Sequence, residues 1–317
     1  MGEVAVRALT VADSAIDLIG GTPMVRLARF ASAGAPQSGC GEIFAKCEFL
    51  SPGGSVKDRL GLGLILAAER EGRLKPGATI IEPTAGNTGI GLALVGTARG
   101  YRVILCVPEK YSLEKQKAMA ALGGTVVRTP TADGMKGAIA KAFELAAEIP
   151  NAYVPQQFSN PANPKIHYDT TGPEIFEQMD GRIDALAIGG GSTGTFVGVA
   201  RYVKERLPHV FCALIEPQGS VFGGGPIGPH KVEGIGNSFW PDVMDKSLLD
   251  EVFTIQDEEA FAAVKELALT EGLLVGGSSG ANALAARRLA RRLGPGKRIV
   301  TLLPDSAERY MSQGILD

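Results

Sequence analysis

Residues 78–97 read ATIIEPTAGNTGIGLALVGT. A β-branched apolar run, Ala78–Glu82, stops at Pro83. Small hydroxyl, amide and glycine residues fill Thr84–Gly89, and an apolar helix-like run, Ile90–Thr97, follows. The pattern is a buried strand, a tight turn and a helix. It continues with a strand at Arg102–Val107, a helix at Leu113–Leu122, a strand at Thr125–Arg128 and a helix at Gly134–Ala147. A β-α-β-α-β-α run of this kind builds a parallel sheet with right-handed crossovers.

Before it, Ile16–Leu27 reads as a short segment, a Gly-Gly-Thr-Pro turn and a strand, and Glu42–Phe49 as another strand. A helix is expected over 58–71. After it, Tyr153–Pro164 (YVPQQFSNPANP) is polar, proline-rich and without periodicity, as a link between two lobes would be. A helix-like stretch, Asp169–Met179, comes next, and the α/β rhythm then resumes. Strands are expected at Ala185–Ile188, Phe211–Ile215 and Arg298–Leu303, and helices over 196–206, Asp257–Thr270 and 281–293. Pro217–Gly236 is a long glycine-rich loop, of the kind that tends to carry function.

Composition narrows the function classes. The chain has 317 residues, 45% hydrophobic and 21% charged, enough for a sizeable core in one large or two ordinary domains. Formal net charge is -2 with no basic run, so nucleic-acid binding has no electrostatic footprint. No apolar run has the length of a membrane span, and the first residues lack a signal-peptide pattern, so a cytoplasmic protein is expected. Cys40, Cys47, Cys106 and Cys212 form no C-x-x-C pair and read as reduced thiols. His167, His209 and His230 are far apart, which argues against a His-rich metal site or a hydrolase triad. Glycine stands at 42 of 317 residues, about 13% against an average near 7%. Without a repeat period, that excess suggests backbone turns that approach a ligand closely.

Ser51–Arg59, SPGGSVKDR, places Lys57 at the mouth of the expected helix. The helix dipole disfavours a cation there and lowers the pKa of an amine. A neutral amine is what a carbonyl needs to form a Schiff base. Three strand-to-helix turns, at 84–89, 189–195 and 275–280, share one design of glycines with small hydroxyl or amide side chains. Such turns gather at the carboxyl ends of strands in α/β sheets, and their free N–H groups suit anions. None has the spacing of a P-loop or a Rossmann fingerprint.

SPGGSVKDR, EPTAGNTG, QQFSNPANP, TTGPEI, HKVEGIG and GLLVGGSSGA, in this order, resemble the cysteine synthase / cystathionine β-synthase family, which uses pyridoxal phosphate. The likeness runs from about Ile16 to Asp317. QQFSNPANP, MKGAI and HKVEGIG look like O-acetylserine sulfhydrylase, whereas ARGYRVILCVPEKYSLEK, HYDTTGPEI and LPDSAERYM look more like the catalytic core of cystathionine β-synthase. The resemblance implies a two-domain α/β enzyme of fold type II, tryptophan synthase β-like, with parallel-rich open sheets and helices on both faces. It implies a smaller, mobile domain over 47–157 and a larger one made of 1–46 plus 158–317. Position by position, it implies that Lys57 carries the cofactor aldehyde and that Asn87 bonds the ring hydroxyl. Gly191, Ser192, Thr193, Gly194 and Thr195 would wrap the phosphate, and Ser278 would face the pyridine nitrogen. Thr84, Ala85, Gly86, Thr88, Gln157 and Gly234 would hold the substrate. No metal is implied.

The implied reaction is β-replacement on O-acetyl-L-serine or serine through an aminoacrylate, with sulfide giving cysteine. Homocysteine giving cystathionine is the alternative, and serine/threonine dehydration a rival of another class. A non-catalytic sensor on the same fold is a third reading, which the presence of Lys57 opposes. The expected partners are an amino-acid substrate, a thiol or sulfide, a second copy in a homodimer, and the tail of serine acetyltransferase. Two departures stand out. Ala85 replaces the usual serine of the substrate loop, and Thr193 stands where glycine is common, so that residue is expected to avoid positive φ.

Overall fold

The computed structural model describes residues 11–33, 39–84 and 86–317; Ala85 lies outside the described residues. The strands are β1 (Met24–Arg26), β2 (Glu42–Cys47), β3 (Thr79–Pro83), β4 (Arg102–Pro108), β5 (Thr125–Thr129), β6 (Ala152–Tyr153), β7 (Ala185–Gly189), β8 (Phe211–Pro217), β9 (Glu251–Ile255) and β10 (Arg298–Leu303). The helices are α1 (Ala28–Ser32), α2 (Lys57–Arg70), α3 (Asn87–Ala98), α4 (Leu113–Ala121), α5 (Gly134–Glu148), α6 (Ala162–Ile166), α7 (Gly172–Gln178), α8 (Gly194–Lys204), α9 (Asp257–Glu271) and α10 (Gly277–Leu293).

The strands form two sheets. One has the order β5-β4-β3-β6, the other β1-β2-β10-β7-β8-β9. Every pairing is parallel except β1 with β2. Parallel sheets need both faces covered, and the strands read accordingly. β3 and β10 are buried along almost their whole length, with Ile80, Ile81, Val300 and Leu302 at their centres. α3 is apolar all round because it is buried between neighbours. It packs on α2, and a Cβ at Gly91 would overlap the Lys57 carbonyl oxygen. Glycine there lets the helix backbones touch, which sets the start of α3 beside Lys57.

Three stretches differ from the sequence reading. The link after Tyr153 is shorter than expected. Helix α6 runs through a π-helical turn, His167–Thr171, into α7. Pro161 and Pro164 hid it, yet one precedes the helix and the other lies in its first turn, where no intrahelical N–H is needed. β9 was not expected; it is a half-buried edge strand flanked by acidic residues, with a weak hydrophobic signal. The turn at 275–280 is already helical from Gly277, so Ser278 sits in the first turn of α10. Among the described residues, no helix is long and apolar enough to cross a membrane.

Candidate active site between the two sheets

A cleft of about 960 Å³ opens where the carboxyl ends of both sheets meet, a volume suited to a cofactor-sized ligand. The first turns of α3, α8 and α10 all line it, through Asn87, Thr195 and Ser278. Each helix start presents N–H groups with no partner inside the helix, so the cleft favours anions.

Lys57 lines the floor. Its loop is tied to the end of β10, where the Val56 N–H donates to the Pro304 carbonyl at 2.9 Å and Ser55 pairs with Asp305. Burial pushes the Lys57 amine down to about 8, against the Asp305 carboxylate, which holds it up. A substantial fraction of free amine is therefore neutral near physiological pH, as a nucleophile toward a carbonyl must be.

Thr84, Gly86, Thr88 and Gln157 line one wall. The Thr84 hydroxyl accepts from the Gly86 N–H at 3.0 Å and the Gly89 N–H at 3.2 Å, which closes the loop on itself. Gly86 has φ +152°, a region that favours glycine. Thr88 donates to Gln157 Oε1 at 2.9 Å. Glu82 underlies both, accepting the N–H of Gln156 at 3.0 Å and of Gln157 at 3.3 Å. Burial pushes the Glu82 carboxyl up to about 7, although these N–H bonds pull it down.

Gly191, Ser192, Thr193 and Thr195 line the wall at the start of α8. Gly194 lies behind them, where a Cβ would overlap Asn163 Oδ1, a buried oxygen without a hydrogen-bond partner. Asn163 donates to the Gln157 carbonyl at 2.8 Å and to Ser192 Oγ at 3.0 Å, so one side chain ties two walls together. Thr195 Oγ1 lies 3.1 Å from His167 Nε2, and His167 Nδ1 lies 2.9 Å from Thr171 Oγ1. Burial, then the charges of Lys57 and Arg59, hold His167 well below its ordinary pKa, so the ring is neutral. The expectation for Thr193 fails: its φ is +62°. The tight entry into α8 demands a left-handed residue there, and the Thr193 hydroxyl donates to the Ser192 carbonyl at 2.7 Å, a bond glycine lacks.

Ser278 is buried on the far wall, facing Gly234, which lines the same cleft. Asn87 donates through Nδ2 to Asp305 Oδ2 at 2.6 Å and accepts from Arg309 Nη1 at 2.8 Å. Lys115 and Glu233, both in the lining, form an ion pair at 2.6 Å across the cleft. Sequence reasoning missed Glu82, Lys115, Asn163, His167, Glu233, Asp305 and Arg309 as parts of the site. All seven lie inside segments that carry the family resemblance, but only Glu82, the one charged residue of its buried strand, carries a local signal.

The described residues expected in the site thus gather around one volume. A buried amine, an N–H cup at a helix start walled by a glycine that no side chain can replace, and a neutral hydroxyl fit an aldehyde-bearing aromatic phosphate. Among the described residues, no group of three or more His, Cys, Asp or Glu side chains is arranged to hold a metal.

Comparison with known proteins agrees with this chemistry. The family described as pyridoxal-phosphate dependent enzyme matches residues 15–305. An O-acetylserine dependent cystathionine beta-synthase of Bacillus subtilis is 49% identical over 309 residues, covering 98% of this chain and 99% of that protein. A cysteine synthase of Helicobacter pylori is 48% identical over 299 residues, covering 94% and 97%. The crystal structure of an O-acetylserine dependent cystathionine beta-synthase from Helicobacter pylori superposes with a TM-score of 0.91 at 46% identity, covering 97% of this chain and 99% of that one. On the matched family, the near-complete coverage and the shared two-sheet architecture, the chain belongs to the pyridoxal-phosphate dependent enzymes of fold type II.

Proposed function

We propose that the protein catalyses β-replacement on O-acetyl-L-serine with sulfide as the nucleophile, giving L-cysteine and acetate. The observation that carries this reading is the buried Lys57 amine at the floor of a cleft onto which three helix starts converge. Pyridoxal phosphate, when bound, supplies an aldehyde for an amine and a ring that takes up the electron pair left at Cα.

Lys57 Nζ would hold the cofactor through its aldehyde. As a free amine it would take the proton from the substrate Cα, beside which it lies. Gly191–Thr195 holds the phosphate through the N–H groups at the start of α8. Ser278 supports the pyridine nitrogen with a neutral hydroxyl, which suits a reaction whose leaving group carries the charge away from Cβ. Asn87 would hydrogen-bond the ring hydroxyl. Thr84, Gly86, Thr88 and Gln157 grip the substrate carboxylate, with Gly234 opposite. Residues 47–157 form the smaller lobe, which closes on the substrate and excludes water. The proposal extends to a cytoplasmic homodimer that receives the tail of serine acetyltransferase, tested by light scattering and by pull-down with a tail peptide.

Homocysteine as nucleophile is the second reading, and the Lys115–Glu233 pair favours it. An amino-acid nucleophile carries a carboxylate and an ammonium, which can exchange with the two members of that pair; sulfide cannot. The relatives' names include both activities.

Steady-state kinetics with each nucleophile, and with O-acetylserine, O-phosphoserine and serine as donors, tests the proposal. A kcat/KM for homocysteine far above that for sulfide reverses the ranking, and Lys115→Gln then raises the KM for homocysteine alone. Release of pyruvate without added thiol would instead make the protein a dehydratase.

A further inference from the structure

We propose that Asp305 and Arg309 are positioning residues for Asn87: they lock its side-chain amide in one sense, with one N–H held and the other directed into the cleft toward the cofactor ring. The inference rests on the reading of Asn87 given under the proposed function and deepens it.

The amide is gripped at both ends. Its nitrogen donates to Asp305 Oδ2 at 2.6 Å and its oxygen accepts from Arg309 Nη1 at 2.8 Å. A carboxylate only accepts and a guanidinium only donates. Rotating the amide by half a turn would set oxygen against oxygen and donor against donor, so one orientation is strongly preferred. An amide nitrogen carries two hydrogens. One is used by Asp305, and Asn87 lines the cleft, which leaves the other for a ligand.

Both gripping residues are themselves fixed. Asp305 is 1% exposed, accepts from the Tyr310 hydroxyl at 2.5 Å, and takes the Gly276 N–H on its carbonyl at 3.0 Å. Arg309 also donates through Nη2 to the Gly53 carbonyl, in the loop that leads to Lys57. Its own carbonyl accepts from Ser112 Oγ at 2.7 Å, at the start of α4. One short segment after β10 therefore reaches the Lys57 loop, α3 and α4 at once. Asn87 and its two partners are 218 and 222 residues apart in sequence. Nothing in the local structure of α3 requires such partners, since its first backbone bond, from the Ile90 N–H to the Gly86 carbonyl at 3.2 Å, forms without them. A built two-ended clamp on one cleft-facing amide points to a side chain whose orientation matters.

The experiment uses the holoenzyme and compares Asp305→Ala, Asp305→Asn and Arg309→Met in the wild-type and Asn87→Ala backgrounds. The readouts are the visible absorption band of the bound cofactor and kcat/KM for O-acetylserine, with circular dichroism to confirm folding. Removing a hydrogen bond that involves a charged group gives a loss of about tenfold or more. Asp305→Ala and Arg309→Met are expected to shift the band and lower kcat/KM by about that factor in wild type. Asp305→Asn, whose amide oxygen still accepts from Asn87, moves the band less than Asp305→Ala, although both remove the charge that faces Lys57. In the Asn87→Ala background the same changes have clearly smaller effects than in wild type, the remainder being what Asp305 and Arg309 do at Lys57 and its loop, because coupled residues are not additive. Equal effects in both backgrounds, or an unmoved band in wild type, overturn the clamp. Where Asp305→Ala does not fold, Arg309→Met decides alone. A wild-type protein with no cofactor band sinks the cofactor reading together with the clamp; a normal band with unresponsive variants sinks the clamp only.

Discussion

Thr193 is a β-branched residue held at φ +62° in the wall of the cleft. The left-handed region costs a non-glycine residue about 1–2 kcal/mol. Against that, its hydroxyl donates to the Ser192 carbonyl at 2.7 Å, a bond worth about 0.5–1.5 kcal/mol net. Thr193→Gly relieves the strain, loses the bond, and frees the unfolded chain by a further ~0.4–1 kcal/mol. These nearly cancel, so Thr193→Gly is expected to match wild type to within about 1 kcal/mol. Thr193→Ala keeps the strain and loses the bond. It should be less stable than Thr193→Gly by about 1 kcal/mol, the strain less the glycine entropy. At a residue with negative φ the order is the reverse, since glycine then only loosens the unfolded chain. The sign alone is diagnostic. Urea midpoints of the three proteins, measured without cofactor, read it directly. If Thr193→Ala proves as stable as Thr193→Gly or more so, the left-handed assignment and the argument from it are wrong.

Lys57→Ala is expected to abolish the cofactor band and to lower turnover by at least about a hundredfold, read by spectroscopy and steady-state kinetics. Gly194→Ala places a methyl group on Asn163 Oδ1 and should fail to retain cofactor after gel filtration, whereas Thr195→Ser, which keeps the hydroxyl facing His167, should retain it. Glu82 carries a pH signature. Its carboxyl is raised from 4.5 to about 7 in the fold, so the folded state binds the proton more tightly. Stability is thus lost as pH rises from about 4.5 through 7, and the charged form costs about 3 kcal/mol above that window. Glu82→Gln removes the effect, so its urea midpoint should gain on wild type between pH 5 and pH 8. An amide also offers one acceptor to two N–H groups, so the KM for O-acetylserine should rise while the cofactor band stays in place.

The alternation of strands and helices was legible because buried parallel strands are apolar on both faces and short. Ala78–Glu82 and Arg102–Val107 each map onto an observed strand within a residue or two, as β3 and β4. Where the reading failed, the hydrophobic signal was weak or a local cue misled. β9 is half exposed and flanked by acidic residues. α6 begins in a proline-rich stretch, and only the structure shows that Pro164 stands where a helix tolerates it. Ser278 was placed in a turn because Gly-Gly-Ser-Ser-Gly favours turns locally. Packing of α10 against β10 overrides that preference one turn earlier.

The site divides along another line. Residues that face the cleft stand in glycine-rich turns, and those turns announce themselves because a backbone that must approach a ligand needs glycine. Residues that hold the cleft in shape carry no such mark. Asn163, His167, Glu82, Asp305 and Arg309 are ordinary residue types, and their partners stand far away in the chain. Each satisfies a buried polar group whose loss would cost about 1–3 kcal/mol. That requirement arises only after the two sheets meet, so it leaves no periodic trace. His167 shows the consequence. Its scarcity as a residue type argued against a metal or a triad, and nothing in the sequence suggested that a neutral imidazole bridges Thr171 to the hydroxyl of Thr195. A neutral ring can donate at one nitrogen and accept at the other, which lets the Thr195 hydroxyl keep its proton or give it as a ligand demands. An anion at the start of α8 can only accept, so it calls for the tautomer in which Nε2–H donates to Thr195 Oγ1 and Nδ1 accepts from the Thr171 hydroxyl, leaving the Thr195 proton for the anion.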